Sequence, residues 1–142
     1  MIVLDTNIVS ELAKPTPNPA VVAWVDAQID LAITAPSVGE LRFGVARLPE
    51  GQRNAALTQA IDELLADDLD GLVLAFDVTS ADAYGLIVAA RERAGRPIGI
   101  ADAQIAAICG VNDAALATRN VRDFRDTGIE IVDPWNQPDT DR

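Results

Sequence analysis

Short apolar runs alternate along the chain with longer segments in which apolar residues recur at helical spacing. The short runs are bounded by charged residues, glycine or proline, which is typical of buried strands. Runs of this kind, each predicted to form a strand, lie at residues 2–4, 31–34, 72–76, 115–118 and 129–132.

Helical periodicity fills the intervals between these runs. Asn18 followed by Pro19 is typical of a helix start, and apolar residues repeat behind this pair on one face as far as Ile29. Thr79 with Asp82 three residues later resembles a capping box at the start of another helix. Helices are predicted at residues 8–14, 19–29, 36–48, 52–66, 79–95 and 102–109.

Strands separated by helices predict an α/β domain with a mostly parallel central sheet. No repeat or linker divides the 142 residues, so we expect a single domain over residues 1–135 and a short polar tail at 136–142. Ligands bind outside the carboxyl ends of parallel strands. Asp5 and the turn at residues 118–120 are therefore expected at the functional edge of the sheet.

Composition narrows the chemistry that this edge can support. The chain has no histidine, one cysteine and a formal net charge of −11, from 22 acidic against 11 basic residues. These counts exclude imidazole catalysis, histidine-ligated metals, internal disulfides and cysteine-ligated zinc. The negative charge by itself argues against nucleic-acid binding. No leader segment or run of about 20 apolar residues is visible, so a cytoplasmic protein without a membrane partner is expected.

Five polar residues follow strands or lie in helices and turns near them, and they are candidates for a catalytic site. Each alone has an ordinary explanation as a helix cap, a first-turn acid or a solvated residue. Two carboxylates about 5 Å apart repel by about 3 kcal/mol at an effective dielectric constant near 20, so a cluster needs a cation or shifted protonation. Without histidine, an all-oxygen set favours Mg²⁺ or Mn²⁺. The candidates are Asp5, Glu40, Asp102, Asn120 and Asp123.

Four segments carry these residues in a fixed order: 3–7 (VLDTN), 39–44 (GELRFG), 99–107 (GIADAQIAA) and 117–124 (ATRNVRDF). Further segments at residues 9–12 (VSEL), 95–98 (GRPI) and 133–135 (DPW) extend the pattern. In these motifs the chain resembles PIN-domain nucleases, and within them the VapC toxins of the FitB-like branch. The resemblance covers almost the whole chain and implies an α/β/α sandwich with a mostly parallel central sheet.

The resemblance also implies a Mg²⁺-dependent endoribonuclease that hydrolyses RNA with a metal-activated water and acts as the toxin of a type II toxin–antitoxin pair. Asp5 and Asp102 would be the metal ligands, and Glu40 would complete the acidic pocket. Many relatives carry an acid at the position of Asn120, which leaves either Asn120 or Asp123 to fill the fourth position. The implied partners are RNA, a VapB-like antitoxin, a second copy of the chain in a homodimer, and operator DNA reached only through the antitoxin.

Side chains beside the acids are given two further roles. Thr6, Asn7 and Thr118 are expected to hold the carboxylates in place. Arg119 and Arg122 are expected to contact RNA phosphates, although surface charges of this kind need no special explanation.

Other classes of function are weighed against the ribonuclease. A catalytically inactive PIN-fold binding module or nucleic-acid-binding regulator stays open, because Asn120 departs from the acidic pattern. A phosphoacceptor receiver domain needs a lysine at the site and paired acids, but the one lysine is Lys14 and Asp5 is followed by Thr6 and Asn7. Asn7 argues equally against a phosphatase of the Asp-x-Asp kind.

Overall fold

The computed structural model describes residues 1–137, and the last five residues of the predicted polar tail lie outside the described residues. Five short strands form the central sheet: β1 (Ile2–Leu4), β2 (Leu31–Thr34), β3 (Val73–Leu74), β4 (Ala115–Ala117) and β5 (Ile131–Val132). All pair in parallel, in the order β3-β2-β1-β4-β5. β1 therefore lies at the centre, with β2 and β4 as its neighbours.

Six α-helices connect the strands: α1 (Thr6–Leu12), α2 (Pro19–Ala27), α3 (Ala35–Ala46), α4 (Gln52–Glu63), α5 (Val78–Arg93) and α6 (Ile100–Val111). A π-helical turn at Leu64–Asp68 extends α4, and a 3₁₀ turn at Val121–Phe124 follows β4. None of the described helices is long and apolar enough to cross a membrane.

Two apolar cores lie on opposite faces of the sheet, because successive side chains of a strand point to opposite sides. Leu4 packs into one core with residues of α1 to α4, such as Ile8 and Ile61. Val3 packs into the other core with residues of α6 and the 3₁₀ turn, such as Ile105 and Phe124. This arrangement confirms the predicted α/β/α sandwich, and the sheet is entirely parallel.

The predicted capping box at the start of α5 is wrong. The helix begins two residues earlier, with Asp77 as its N-cap, and the Asp77 carboxylate accepts a hydrogen bond from the backbone N–H of Ser80 at 2.9 Å. This bond holds the pKa of Asp77 below its usual range. Thr79 lies inside the first turn, because an aspartate caps a helix as well as a threonine and stands two residues earlier here.

The start of α2 is as predicted, but its apolar face is not. Asn18 caps the helix through a hydrogen bond from Ala20 N and Pro19 occupies the first turn. The helix ends at Ala27, so Ile29 lies beyond it and is fully exposed. The buried side chains of α2 are Val21 and Val25, which face the first core.

The connection from β2 to α3 places Glu40 relative to the sheet. Thr34 ends β2 and caps α3: its Oγ1 accepts from Ser37 N at 3.2 Å and donates to Ser37 Oγ at 3.0 Å. Both residues are fully buried. The cap thus fixes where α3 leaves the carboxyl edge of the sheet, and with it the helix that carries Glu40.

We expect Thr34→Val to lower the free energy of unfolding by about 1–2 kcal/mol, since valine keeps the shape of the side chain but loses both hydrogen bonds. Urea denaturation measures the change. Thr79→Val makes the same chemical change at an exposed position of α5 and should alter stability by less than about 0.5 kcal/mol. Equal effects of the two substitutions would contradict the assigned role of the cap.

Candidate active site

Asp5 occupies the carboxyl end of the central strand and is only 4% exposed. Its backbone N–H donates to the carbonyl of Ala117 at 2.9 Å, which ties it to β4. As N-cap of α1, its Oδ1 accepts a hydrogen bond from Thr6 N at 2.8 Å, and its Oδ2 accepts one from the Thr118 hydroxyl at 2.7 Å. Both carboxylate oxygens are therefore held in place.

The Thr118 hydroxyl is oriented by the residues around it. Its Oγ1 accepts hydrogen bonds from Asn7 Nδ2 at 3.2 Å and from Asn120 N at 3.0 Å. Because both lone pairs receive donors, the hydroxyl proton is directed to Asp5 Oδ2. Asn7 also accepts from Arg119 N at 3.3 Å, so its amide links α1 to the segment after β4. The side chains of Asn7 and Thr118 both contact Asp5 Oδ2, at 3.4 and 2.7 Å.

Three carboxyl groups at this edge have raised pKa values. Burial is the largest cause for Asp5, and it outweighs the hydrogen bonds from Thr118 and Thr6 that lower the pKa. Burial also raises the pKa of Glu40, with repulsion from Asp5 and Asp102 adding to it. For Asp102, burial is followed by repulsion from Asp5 and Asp123, partly opposed by Arg91. These carboxylates are close enough to act on one another.

The four acids enter the site from different elements and at different depths. Asp102 lies half-buried in the first turn of α6, Glu40 lies at the exposed rim on α3, and Asp123 is exposed in the 3₁₀ turn. Across residues 1–137, no three acidic or thiol side chains are gathered tightly enough to hold a metal ion as they stand. The acids face one edge of the sheet without forming a closed ligand shell.

The donor set nevertheless fits a hard divalent cation. All the donors are carboxylate oxygens, which Mg²⁺ and Mn²⁺ prefer, and a cation between them would relieve both the burial and the repulsion that raise their pKa values. Asp5 and Asp102 are the two most buried of the set.

The two candidates for the fourth position differ in their surroundings. Asn120 is exposed, and within the described part of the chain only its backbone forms hydrogen bonds: its N–H donates to Thr118 Oγ1 at 3.0 Å and its carbonyl accepts from Asp123 N at 3.1 Å. Asp123 raises the pKa values of both Asp5 and Asp102. Of the two residues, Asp123 is the one whose charge raises the pKa values of the other acids.

Arg119 has an intramolecular contact that sequence reasoning missed. Its guanidinium lies 5.2 Å from the centroid of the Trp135 ring, and Trp135 Nε1 donates to Glu11 Oε1 at 3.3 Å. Glu11 is buried, and Lys14 Nζ lies 2.8 Å from its other carboxylate oxygen, which holds the pKa of Glu11 below its usual range. Nothing in the sequence pairs Glu11 with a tryptophan 124 positions away.

Arg91 is a second residue that sequence reasoning missed. It is only 5% exposed, and its Nη1 donates to the carbonyls of Asp123 and Arg125 at 2.8 Å each. A basic residue in the last turn of a helix is expected at the surface, where it complements the helix dipole. Here the side chain instead fixes the turn that carries Asp123.

The raised pKa values make the stability of the protein depend on pH. A carboxyl whose folded pKa exceeds its unfolded value costs stability once it is ionised, so stability falls as pH rises through the folded pKa. We expect Asp102→Asn to raise the thermal midpoint at neutral pH in EDTA. The gain should vanish below pH 3.8, the ordinary pKa of the group, where the wild-type carboxyl is protonated in both states.

Thermal unfolding followed by circular dichroism between acidic and neutral pH measures this effect. Asp82→Asn removes the same charge from an exposed position of α5 and serves as the control for net charge. A gain of equal size in both variants would show that the cost does not arise from the cluster.

Comparison with known proteins agrees with the observed fold. Residues 2–130 match the family model described as PIN domain. The chain is 40% identical over 137 residues to VapC ribonuclease Y4jK of Sinorhizobium fredii, covering 95% of this chain and 98% of the relative. It is 36% identical over 138 residues to the toxin FitB of Neisseria gonorrhoeae, covering 96% and 99%.

A solved structure shows the same architecture. The structure of FitAB bound to an IR36 DNA fragment contains a chain that is 34% identical to this one, with a TM-score of 0.87 over 97% of this chain and 98% of that chain. The resemblance in the sequence motifs is thereby confirmed, and the chain belongs to the PIN domain family.

Proposed function

We propose that this protein is a divalent-metal-dependent endoribonuclease and the toxin of a type II toxin–antitoxin pair. The observation that carries the proposal is the buried Asp5 carboxylate at the end of the central strand, coupled to Asp102, Glu40 and Asp123. Relatives named as a VapC ribonuclease and a FitB toxin, aligned over nearly the whole chain, support the same reaction.

Mg²⁺ is the proposed ion, with Asp5 and Asp102 as its ligands. When bound, it supplies positive charge beside the scissile phosphate and lowers the pKa of a water molecule. Glu40 and Asp123 surround this position with further carboxylate oxygens, from the rim and from the 3₁₀ turn. Asn120 is proposed to act only through its backbone, since its side chain adds no charge to the set.

The residues of the chain have separate parts in the reaction. Thr118 and Asn7 hold the Asp5 carboxylate in one orientation, so no reorganisation is needed when substrate arrives. Glu40, which is exposed to solvent and whose pKa is raised by burial and by the charges of Asp5 and Asp102, orients the attacking water. In the proposed step, water rather than the RNA 2′-hydroxyl attacks the phosphorus and the bond from phosphorus to the 3′ oxygen breaks, so one product ends in a 3′-hydroxyl and the other carries a 5′-phosphate.

We expect Asp5→Asn to lower the rate of RNA cleavage by more than about 100-fold, because a metal ligand is lost, while the protein stays folded. EDTA should abolish wild-type cleavage, and added Mg²⁺ should restore it. The measurement is gel analysis of labelled structured RNAs, with the product ends identified by phosphatase treatment.

Asp82→Asn, which removes an exposed acid from α5, should cleave RNA at the wild-type rate. Full activity of Asp5→Asn, or of the wild type in EDTA, would contradict the metal mechanism. Absence of cleavage under all conditions, with RNA still bound, would favour the inactive binding module.

A partner protein is the second part of the proposal. A largely apolar cavity of about 540 Å³ lies between α1 and α4, lined by apolar residues such as Leu48, Ala56 and Leu57 and by the charged residues Lys14 and Arg53. We propose that an apolar segment of the antitoxin occupies it, because the FitAB structure describes a two-protein complex bound to DNA. Operator DNA would then be contacted through the antitoxin.

We expect Ala56→Glu to prevent complex formation while leaving RNA cleavage intact, since the larger side chain would occupy the cavity and exclude the apolar segment. Ala55→Glu is the matched control: it is exposed on the same helix but does not line the cavity. The measurement is co-purification with the product of the neighbouring upstream reading frame, followed by a cleavage assay of each variant alone. Co-purification of both variants would place the partner elsewhere.

A further inference from the structure

A second cavity, of about 400 Å³, lies beside the acids and carries the opposite charge. It is lined by four arginines and one aspartate: Arg91, Arg96, Arg122, Arg125 and Asp123. Four of the ten arginines therefore meet at one place in a protein with a formal net charge of −11. Four like charges gathered in this way repel one another, and the single aspartate among them offsets only part of their charge.

A single buried side chain holds the two walls of this cavity together. Arg91 Nε donates to the carbonyl of Arg96 at 2.7 Å, and Arg91 Nη1 donates to the carbonyls of Asp123 and Arg125. One wall is the segment after α5, and the other is the 3₁₀ turn after β4. Arg91 is thus a positioning residue for the other arginines.

The backbone at the end of α5 supports the same arrangement. Gly95 has a φ of 73°, a left-handed conformation that glycine adopts without strain. Its N–H donates to Glu92 O at 3.0 Å, and the next N–H, of Arg96, donates to Arg91 O at 2.9 Å, which is the pattern of a Schellman motif. Arg96 is therefore held against Arg91 through both its backbone groups.

The exposed guanidinium groups of the cavity are available to a ligand. Within residues 1–137, Arg122 and Arg125 form no ion pair. Arg96 pairs only with Asp126, at 3.0 Å, and both side chains of that pair are more than half exposed, so the pair is weak. A guanidinium stays charged at every relevant pH and matches the geometry of a phosphate.

We propose that this cavity is a subsite for a phosphate of the RNA strand other than the phosphate that is cleaved. The inference rests on the proposed ribonuclease function and deepens it. Asp123 connects the two places, because it lines the cavity and its charge acts on Asp5 and Asp102. An RNA strand that places a phosphate near the scissile one among the arginines is thereby held alongside the acids.

The test is the binding of a short, fluorescently labelled single-stranded RNA, measured by anisotropy in EDTA over a range of salt concentrations. Arg122→Gln and Arg125→Gln should each weaken binding about tenfold and reduce the slope of log affinity against log salt by about 0.7. Arg93→Gln is the matched control, because it removes the same charge from an exposed position on α5 that does not line the cavity.

Equal affinities of all three variants would overturn the subsite, whatever the wild-type cleavage activity. Cleavage that is absent from the wild type, with binding still dependent on Arg122 and Arg125, would instead overturn the ribonuclease proposal alone. RNAs with a 5′-hydroxyl or a 5′-phosphate identify the ligand. Equal binding assigns the subsite to a backbone phosphodiester, and a preference for the phosphorylated RNA assigns it to a terminal phosphate.

Discussion

The burial of the Asp5 carboxylate is the constraint on which the rest of the site depends. A buried charge is costly unless hydrogen bonds or an opposite charge compensate it. In the described part of the chain, Asp5 forms no ion pair and receives its hydrogen bonds from Thr6, Thr118 and Asn7. These bonds do not cancel the cost, since its pKa is still raised. A bound cation would offset the part of this burial cost that the hydrogen bonds leave uncompensated.

The sheet explains why this cost falls on Asp5. β1 is the central strand, and its residues Val3 and Leu4 are fully buried in opposite cores. The residue that follows them has little freedom to turn toward solvent. β4 and β2 pair with β1 in parallel, so Thr34, the last residue of β2, and Thr118, directly after β4, lie at the same edge. The carboxyl edge thus gathers the polar groups because both faces of the sheet are apolar.

The features of the structure that depend on local sequence pattern and on the order of the strands could be predicted from the sequence. The apolar run before Asp5 and the cap at Asn18 are local signals, and the structure agrees with both. Local pattern places the N-cap of α5 at Thr79, two residues too late, because Asp77 is an equally good capping residue. It also extends the apolar face of α2 to Ile29, two residues beyond the observed end of the helix. The hydrogen bonds of Arg91 could not be predicted from the sequence, since its partners lie 32 and 34 positions later and only tertiary packing brings them together.

Net charge and local charge act at different distances in the proposed function. The formal charge of −11 repels RNA at long range, and salt screens this repulsion beyond about 10 Å. The arginines around Arg91 act at contact distance, where salt weakens phosphate binding by competition. Added salt would therefore weaken the long-range repulsion that slows the association of RNA, and it would also speed the dissociation of bound RNA. Because Arg91 fixes the turn bearing Asp123, Arg122 and Arg125, the acids and the phosphate subsite share one support and cannot be positioned independently.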